Sequence, residues 1–285
     1  MNEPRPLIDY SDPRPESKIG RVRTALMYLI EQHRNDGALP TSVRFLFYEL
    51  VMQRVITKEG NRPDKVVSAA LTDLREDGLV PSDDIVDETR ELFDYTGSPT
   101  VAEDWLMYLG SACLDPWRSN VPLILTESRS LAGVLRAQCR DYRCRITSTN
   151  GQTGGHLHTK VAPVLRAEDR IGYLGDYDLA GDDIEANTRR VLESIVGELN
   201  WQRLALTREQ VHQYNLPVIT KTDNRFKKVS GEHEAVETEA LSQTLIVNIV
   251  RTWLDELLPQ PLERVLVRER HERARLRRLI EIARQ

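Results

Sequence analysis

The sequence has few cysteines, no long apolar run and no glycine-rich nucleotide loop. Cys113, Cys139 and Cys144 show no CxxC spacing and cannot all pair, which predicts a reducing cytoplasm and no structural zinc. No apolar stretch approaches the roughly 20 residues that cross a bilayer, and the amino terminus lacks a secretory pattern. No Walker-type ATP motif is present. The sequence therefore predicts a cytoplasmic protein with no membrane partner.

Charge is mildly acidic overall but unevenly distributed. The 285 residues carry a net charge of −5, with 40% hydrophobic and 29% charged residues, and leave room for two domains. Residues 262–285 contain eight arginines and four glutamates, so this end of the chain is basic. An acidic protein binds nucleic acid only through local basic faces, so any such role depends on particular segments.

Two carboxylates follow a short apolar strand predicted at residues 171–174. Asp176 and Asp178 leave the strand one residue apart, before a helix predicted from about residue 181 to 196. Alternation along an extended chain sends both side chains to the same side, where like charges favour a proton or a cation between them. Oxygen-only ligands suit Mg²⁺. The alternative interpretation is a cluster that caps the helix and closes the turn.

A second apolar strand supplies a third acid. Residues 121–127 end in Glu127, and Ser128 is placed to cap a helix predicted at 129–141. Ligands in open α/β sheets bind at the carboxyl ends of the strands. Two such ends bearing acids favour a metal site formed by Glu127, Asp176 and Asp178 over a simple capping cluster.

A helix predicted at residues 42–54 carries one apolar face and, beside it, Arg44 and Tyr48. These two lie four residues apart and are neighbours on the helix surface. Tyr48 is about 100° from Phe47, at the edge of the apolar stripe. The residues alone allow a partly buried tyrosine and a solvated arginine.

The next predicted helix, at residues 63–77, places Lys65, Ser68, Thr72 and Arg75 together on its polar side. Two helices with a basic second member suit a helix-turn-helix that reads the major groove, with a small wing at 79–86. The alternative is any small helical bundle. Further along, Lys221 and Arg225 belong to a basic loop that suits phosphate contacts, or is simply solvated.

These motifs together resemble the Toprim domain of topoisomerases and primases. Within that group the chain is similar to the topoisomerase VI A-subunit family, which includes the meiotic double-strand-break transesterases, and above all to its small stand-alone bacterial and phage members. The matching motifs include Arg44-x-x-Phe47-Tyr48, Glu127 after its strand, Asp176-x-Asp178-x-x-Gly181-x-x-Ile184, and Val236-Glu-Thr-Glu-Ala-Leu241. Relatives often carry lysine where this chain has Ser128, and proline where it has Leu179.

The resemblance implies a fold and a domain order. We expect a flexible arm at 1–17, a winged-helix domain at 18–97, a Toprim α/β domain with a mostly parallel sheet at 98–260, and a basic helix at 261–285. The sequence does not distinguish whether that last helix binds DNA, pairs with a partner helix or forms a free tail.

The resemblance also implies DNA strand cleavage by tyrosine transesterification. Tyr48 would attack, Arg44 would hold the phosphate, and Glu127, Asp176 and Asp178 would bind one or two Mg²⁺ ions. Implied partners are double-stranded DNA, a second copy of the chain and a separate ATPase, with a nucleoid-associated location. Two rivals stay open: a Toprim nuclease that uses metal-activated water, and a non-catalytic DNA-binding protein whose site has decayed. No role is assigned to Glu237 or Glu239.

Overall fold

The computed structural model describes residues 17–58, 64–86, 100–118, 120–149, 154–221 and 233–283. Within these ranges the chain is an α/β protein with ten α-helices and a four-stranded parallel sheet. The helices are α1 (Lys18–Asn35), α2 (Val43–Met52), α3 (Asp64–Glu76), α4 (Val101–Ser111), α5 (Arg129–Asp141), α6 (Gly154–His156), α7 (Leu179–Val196), α8 (Arg208–Gln213), α9 (Gln243–Leu257) and α10 (Leu262–Ala283). The strands are β1 (Leu123–Thr126), β2 (Arg145–Ser148), β3 (Arg170–Leu174), β4 (Asn200–Ala205), β5 (Ile219–Lys221) and β6 (His233–Ala235). The predicted arm, apart from Ser17, and the predicted domain junction near residue 97 lie outside the described residues.

The sheet has the order β2-β1-β3-β4 with every pair parallel, so the predicted mostly parallel sheet is confirmed. The two faces of the sheet pack against different hydrophobic cores: Ile124 lies in one buried cluster, and Leu123 and Leu125 lie in another. A parallel sheet covered on both faces explains why β1 is continuously apolar. Thr126 is opposite Leu174 in the register, so β1 and β3 end at the same edge.

Side-chain caps set where the helices around the sheet begin. Ser128 caps α5 as predicted, its Oγ accepting from the Leu131 N–H at 3.1 Å. Asp178 caps α7 by accepting from the Gly181 N–H at 2.7 Å, so α7 begins at Leu179, two residues before the predicted start. Ser42 caps α2, its Oγ accepting from the Phe45 N–H at 3.3 Å.

The helices α1, α2 and α3 pack around their own core, with Leu26, Leu46 and Leu71 fully buried. The described residues 53–58 follow α2 without helical structure and already exceed the three to four residues of a common helix-turn-helix turn. The prediction of a small wing at 79–86 is wrong in its secondary structure. Instead of a strand pair, this stretch holds a short 3-10 turn at Ser82–Asp84 and a single bridge between Thr41 and Ile85. Pro81 and the polar residues after it favour a turn over a strand pair.

The basic carboxyl-terminal stretch forms the helix α10, which packs against α4. Its Glu269 is buried, accepts from the Leu114 N–H at 2.8 Å and pairs with Arg143 at 3.1 Å. Arg273 donates from Nε to the Ala112 carbonyl at 2.6 Å. The first half of α10 is therefore anchored on the protein. No helix among the described residues is long and apolar enough to cross a membrane.

The helical region and the sheet region share a core. Ala38 and Phe45, on either side of the start of α2, lie in the same buried cluster as Leu204 of β4 and Trp253 of α9. Gln243, also buried, donates from its side chain to the carbonyls of Ala38 and Pro40 at 2.5 and 2.9 Å. These contacts fix how α2 is presented to the end of the sheet.

Candidate functional site

The acid-bearing turns after β1 and β3 are hydrogen-bonded to each other. The Glu127 N–H donates to the Leu174 carbonyl at 2.8 Å, and the Asp176 N–H donates to Glu127 Oε2 at 3.0 Å. The structure thus brings together Glu127 and Asp176 at the strand ends, as the sequence predicted. Asp178 follows two residues later, where its Oδ1 caps α7. Capping, the alternative interpretation of this pair, therefore accounts for one oxygen of Asp178.

Gly181 and Arg203 fix the backbone of the turn after β3. A Cβ added to Gly181 would lie 2.4 Å from the Asp176 carbonyl oxygen, so only glycine fits so close to the turn. Arg203 donates from Nη2 to the same carbonyl at 2.5 Å and pairs through Nη1 with Glu185 of α7 at 2.6 Å. The glycine in the Asp-x-Asp-x-x-Gly motif is therefore required by close packing, whatever the turn binds.

A linking segment, residues 237–239, connects this turn to the rest of the site. Tyr177 and Val236 exchange two backbone hydrogen bonds of 2.9 Å, which lays the segment beside the acid turn. Thr238 then donates to Asp176 Oδ1 from its N–H at 2.8 Å and from its hydroxyl at 3.1 Å. The segment supplies neutral donors to a carboxylate that lies in an acidic environment.

The other side of the linking segment faces α2. The Tyr48 hydroxyl donates to Glu237 Oε2, and Arg44 donates from Nη2 to the same oxygen at 2.6 Å. Arg44 also pairs through Nε with Glu239 Oε1 at 2.8 Å, which accepts from the Ser128 hydroxyl at 2.9 Å. Tyr48 and Arg44 are thus joined to the acid turns by a continuous set of side-chain contacts.

A lysine that sequence reasoning did not single out completes this arrangement. Lys58 pairs through Nζ with Glu237 Oε1 at 3.1 Å, and the same nitrogen lies 4.8 Å from the centroid of the Tyr48 ring. The guanidinium of Arg44 lies 5.7 Å from that centroid. Two cations therefore flank the phenol, and both are more than 40% exposed, whereas Glu237 is 17% exposed.

Burial and like charge raise the pKa of several acids in this cluster. Burial, followed by the charge of Asp176, raises the pKa of Glu127 to about 7. Burial also raises the pKa values of Asp176 and Glu239. Glu237 behaves in the opposite way: burial alone would raise its pKa, but the Tyr48 hydrogen bond and the charge of Arg44 hold it below the ordinary value. Burial and the bond to Glu237 raise the pKa of the Tyr48 phenol well above its usual range.

The carboxylate oxygens at the strand ends are the type of ligand that a hard cation prefers. Glu127, Asp176 and Asp178 offer only oxygen, and neither Glu127 nor Asp176 forms an ion pair with a basic side chain in the described part of the chain. Burial and then the charge of Asp176 raise the pKa of Glu127, and a bound cation would favour the ionised carboxylate. Among the described residues, no three acidic, histidine or cysteine side chains are already close enough to hold one ion. A site that uses all three carboxylates at once therefore requires them to move closer together.

A cleft of about 820 Å³ opens between α2 and α3. Arg44 and Tyr48 line one side, and Ser68, Thr72 and Arg75 line the other. Three of the four predicted DNA-facing residues of α3 therefore share a cleft with the predicted nucleophile. Lys65 is exposed but does not line it. Lys221 is the last residue of β5, and Arg225 lies outside the described residues.

Sequence reasoning left four contributors to the site without a role: Lys58, Glu237, Thr238 and Glu239. Glu237 and Glu239 lie in the motif at residues 236–241, one of those that carry the resemblance, and that motif was the available signal. The spacing of the sequence did not indicate which residues the two glutamates contact. Lys58 follows α2 in an irregular stretch with no recognisable pattern. The chain matches no family model, no curated protein and no solved structure.

Proposed function

We propose that this protein cleaves duplex DNA by a Mg²⁺-dependent transesterification in which Tyr48 is the nucleophile. The proposal is carried by one observation: Arg44 and Tyr48 contact residues 237–239, and the same residues contact Asp176 and Ser128. Three predicted motifs, far apart in sequence, meet in one set of contacts. A tyrosine that merely packed in a helical bundle would need none of these partners.

Each residue has a chemical task in this reaction. Tyr48 attacks the scissile phosphorus, and Arg44 and Lys58 bind the phosphate oxygens, because guanidinium and ammonium groups are strong phosphate donors. Glu127, Asp176 and Asp178 would hold Mg²⁺, which would supply stabilisation of the negative charge on the attacking and departing oxygens. The cleft between α2 and α3 offers a basic and hydroxyl-bearing wall beside Tyr48 for the DNA backbone.

The proposal includes the architecture and partners that the resemblance implies. The helical region would be a winged-helix domain, and the sheet region a Toprim domain. A second copy of the chain would join it across a duplex that has to be cut on both strands, and a separate ATPase would drive any strand passage. Local basic faces, rather than the net charge of −5, would provide the affinity for DNA.

The test is a cleavage assay with the Tyr48→Phe variant, which removes one oxygen and keeps the ring. Supercoiled DNA is incubated with the protein and Mg²⁺, stopped with detergent and analysed with and without protease. We expect wild-type protein to leave DNA with protein attached to the cut ends and Tyr48→Phe to leave none. Tyr28→Phe is the matched control, because Tyr28 is exposed on α1.

The other outcomes select the rival functions. If Tyr48→Phe cuts at the wild-type rate and leaves free ends, the protein is a nuclease that uses metal-activated water. If neither protein cuts with any divalent metal, with or without an ATPase partner, but both bind duplex DNA, the non-catalytic interpretation replaces the proposal.

A further inference from the structure

Glu237 has no assigned part in the cleavage reaction, yet its Oε2 accepts a hydrogen bond from the Tyr48 hydroxyl. We infer that Glu237 is a catalytic residue: it accepts the phenol proton of Tyr48 as the phenol attacks the scissile phosphate. The inference rests on the proposed function and adds the proton acceptor that this reaction requires. A phenol that keeps its proton is a weak nucleophile, so the attack depends on such an acceptor.

Geometry supports the inference first. A general base has to lie within hydrogen-bond reach of the proton that it removes, and Glu237 Oε2 already accepts the Tyr48 O–H bond. Among the described residues, the other charged groups near Tyr48 are the cations of Arg44 and Lys58, which cannot accept a proton, and the carboxylate of Glu239. The phenol hydrogen bond goes to Glu237, whereas Glu239 Oε1 is engaged by Arg44 and Ser128. The Tyr48 side chain is half-buried, so the carboxylate rather than bulk water faces its hydroxyl.

The proton balance of the step is simple. The O–H bond of Tyr48 breaks and its proton moves to Glu237 Oε2, while the phenol oxygen forms a bond to phosphorus. The bond from phosphorus to the 3′ oxygen breaks, and that oxygen leaves with the electron pair and takes a proton from water. Resealing reverses the sequence: the 3′ hydroxyl attacks, and the proton on Glu237 returns to the phenol.

The surrounding charges should make Glu237 a stronger base when substrate binds. Arg44 and Lys58 both pair with Glu237 and hold its pKa low in the free protein. These are the two cations placed to bind a phosphate, so a phosphodiester in the cleft would draw them away from the carboxylate. Glu237 would then lose the positive charges that lower its pKa and would take up the phenol proton more readily. The proton acceptor is thus coupled to occupancy of the phosphate site.

The experiment compares Glu237→Gln with the wild type in single-turnover cleavage across a range of pH. Glutamine keeps the shape and cannot accept the proton, so we expect the rate near neutral pH to fall by about 100- to 10,000-fold. Because only the ionised phenol then reacts, the variant's rate should rise about tenfold per pH unit towards alkaline pH. Glu234→Gln is the matched control, since Glu234 is exposed three residues earlier on β6.

Two further measurements keep a structural role apart from a chemical one. Removal of the negative charge releases Lys58 and one of the two ion pairs of Arg44, so Glu237→Gln should bind DNA at least as tightly as wild type despite slower cleavage. Glu237→Asp keeps a carboxylate on a shorter stem and should recover part of the lost rate. Thermal unfolding of each variant shows whether the fold is intact, and Glu237→Asp carries the test if Glu237→Gln does not fold.

Several outcomes would overturn the inference. Wild-type cleavage by Glu237→Gln would show that another group takes the proton, while the proposed function would stand. Faster cleavage would show that the carboxylate only occupies the phosphate site. A deficit that is the same at every pH and is not relieved by Glu237→Asp would indicate a structural role. Absence of protein-linked DNA with wild-type protein would instead overturn the proposed function, and the inference with it.

Discussion

Replacement of Glu127 by glutamine tests the electrostatics of the strand-end acids without measuring catalysis. Burial and the charge of Asp176 raise the pKa of Glu127 from 4.5 to about 7. Its folded-state pKa therefore lies above the unfolded one. The protonated carboxyl favours the folded state below the unfolded pKa, and this contribution is lost as the pH rises through about 7. Above that pH the fold carries the full cost of a buried, repelled carboxylate.

The size of the effect follows from the same shift. Each pKa unit corresponds to about 1.4 kcal/mol, so a rise from 4.5 to about 7 sets an upper limit of about 3 kcal/mol. Glu127 is partly exposed, and water screens part of that cost, so we expect about 1 to 2 kcal/mol. Glutamine keeps the shape and the acceptor for the Asp176 N–H and removes the charge.

The assay is urea unfolding without divalent ions at about pH 5 and about pH 8, for wild type, Glu127→Gln and the exposed control Glu256→Gln. At the lower pH wild type and Glu127→Gln should be nearly equal. At the higher pH Glu127→Gln should be more stable than wild type by about 1 to 2 kcal/mol. Added Mg²⁺ should stabilise wild type at the higher pH and have less effect on Glu127→Gln. Parallel stability profiles of the two proteins would refute the electrostatic account of the cluster.

The helix α3, which we propose faces DNA, and the acid turn give two further predictions. Neutralising Lys65 and Arg75 together should weaken duplex binding and lower the slope of log affinity against log salt by up to about 2, whereas Lys160→Gln, outside the cleft, should leave both unchanged. Gly181→Ala should destabilise the fold by about 1 to 3 kcal/mol in thermal or urea unfolding, because its Cβ would meet the Asp176 carbonyl; Gly155→Ala, with open space around it, is the control. An unchanged salt slope, or a Gly181→Ala variant as stable as its control, would contradict the respective argument.

The elements of the fold were predictable because local patterns determine them. The apolar run before Glu127 and the serine after it were enough to place β1 and the first residue of α5. Periodicity likewise placed the end of α5 at Asp141. The start of α7 was missed by two residues because Asp178 was interpreted as a ligand rather than as a cap. One side chain can do either, and spacing alone does not distinguish the two.

The site was predictable only in the parts that adjacent strands bring together. Parallel strands end at one edge, so Glu127 and Asp176 were expected to meet, and they do. Tyr48 and Glu237 are in contact although they are 189 residues apart in the sequence, and no periodic pattern predicts a contact across such a separation. This contact depends on how α2 packs against the sheet region, through buried groups such as Gln243. Tertiary packing of this kind has no local signal.

The long sequence separation between Tyr48 and its carboxylate also has a consequence during synthesis. A ribosome that adds about 5 to 20 residues per second needs roughly 10 to 40 s to pass from residue 48 to residue 237. The helices α1, α2 and α3 have their own buried core and can fold within that interval. Throughout it, Tyr48, Arg44 and Lys58 are present without Glu237, Thr238 or Glu239. If Tyr48 and Glu237 act as proposed, a nascent chain carries the nucleophile and its cations well before it carries the proton acceptor, and we expect incomplete chains to be unable to cut DNA.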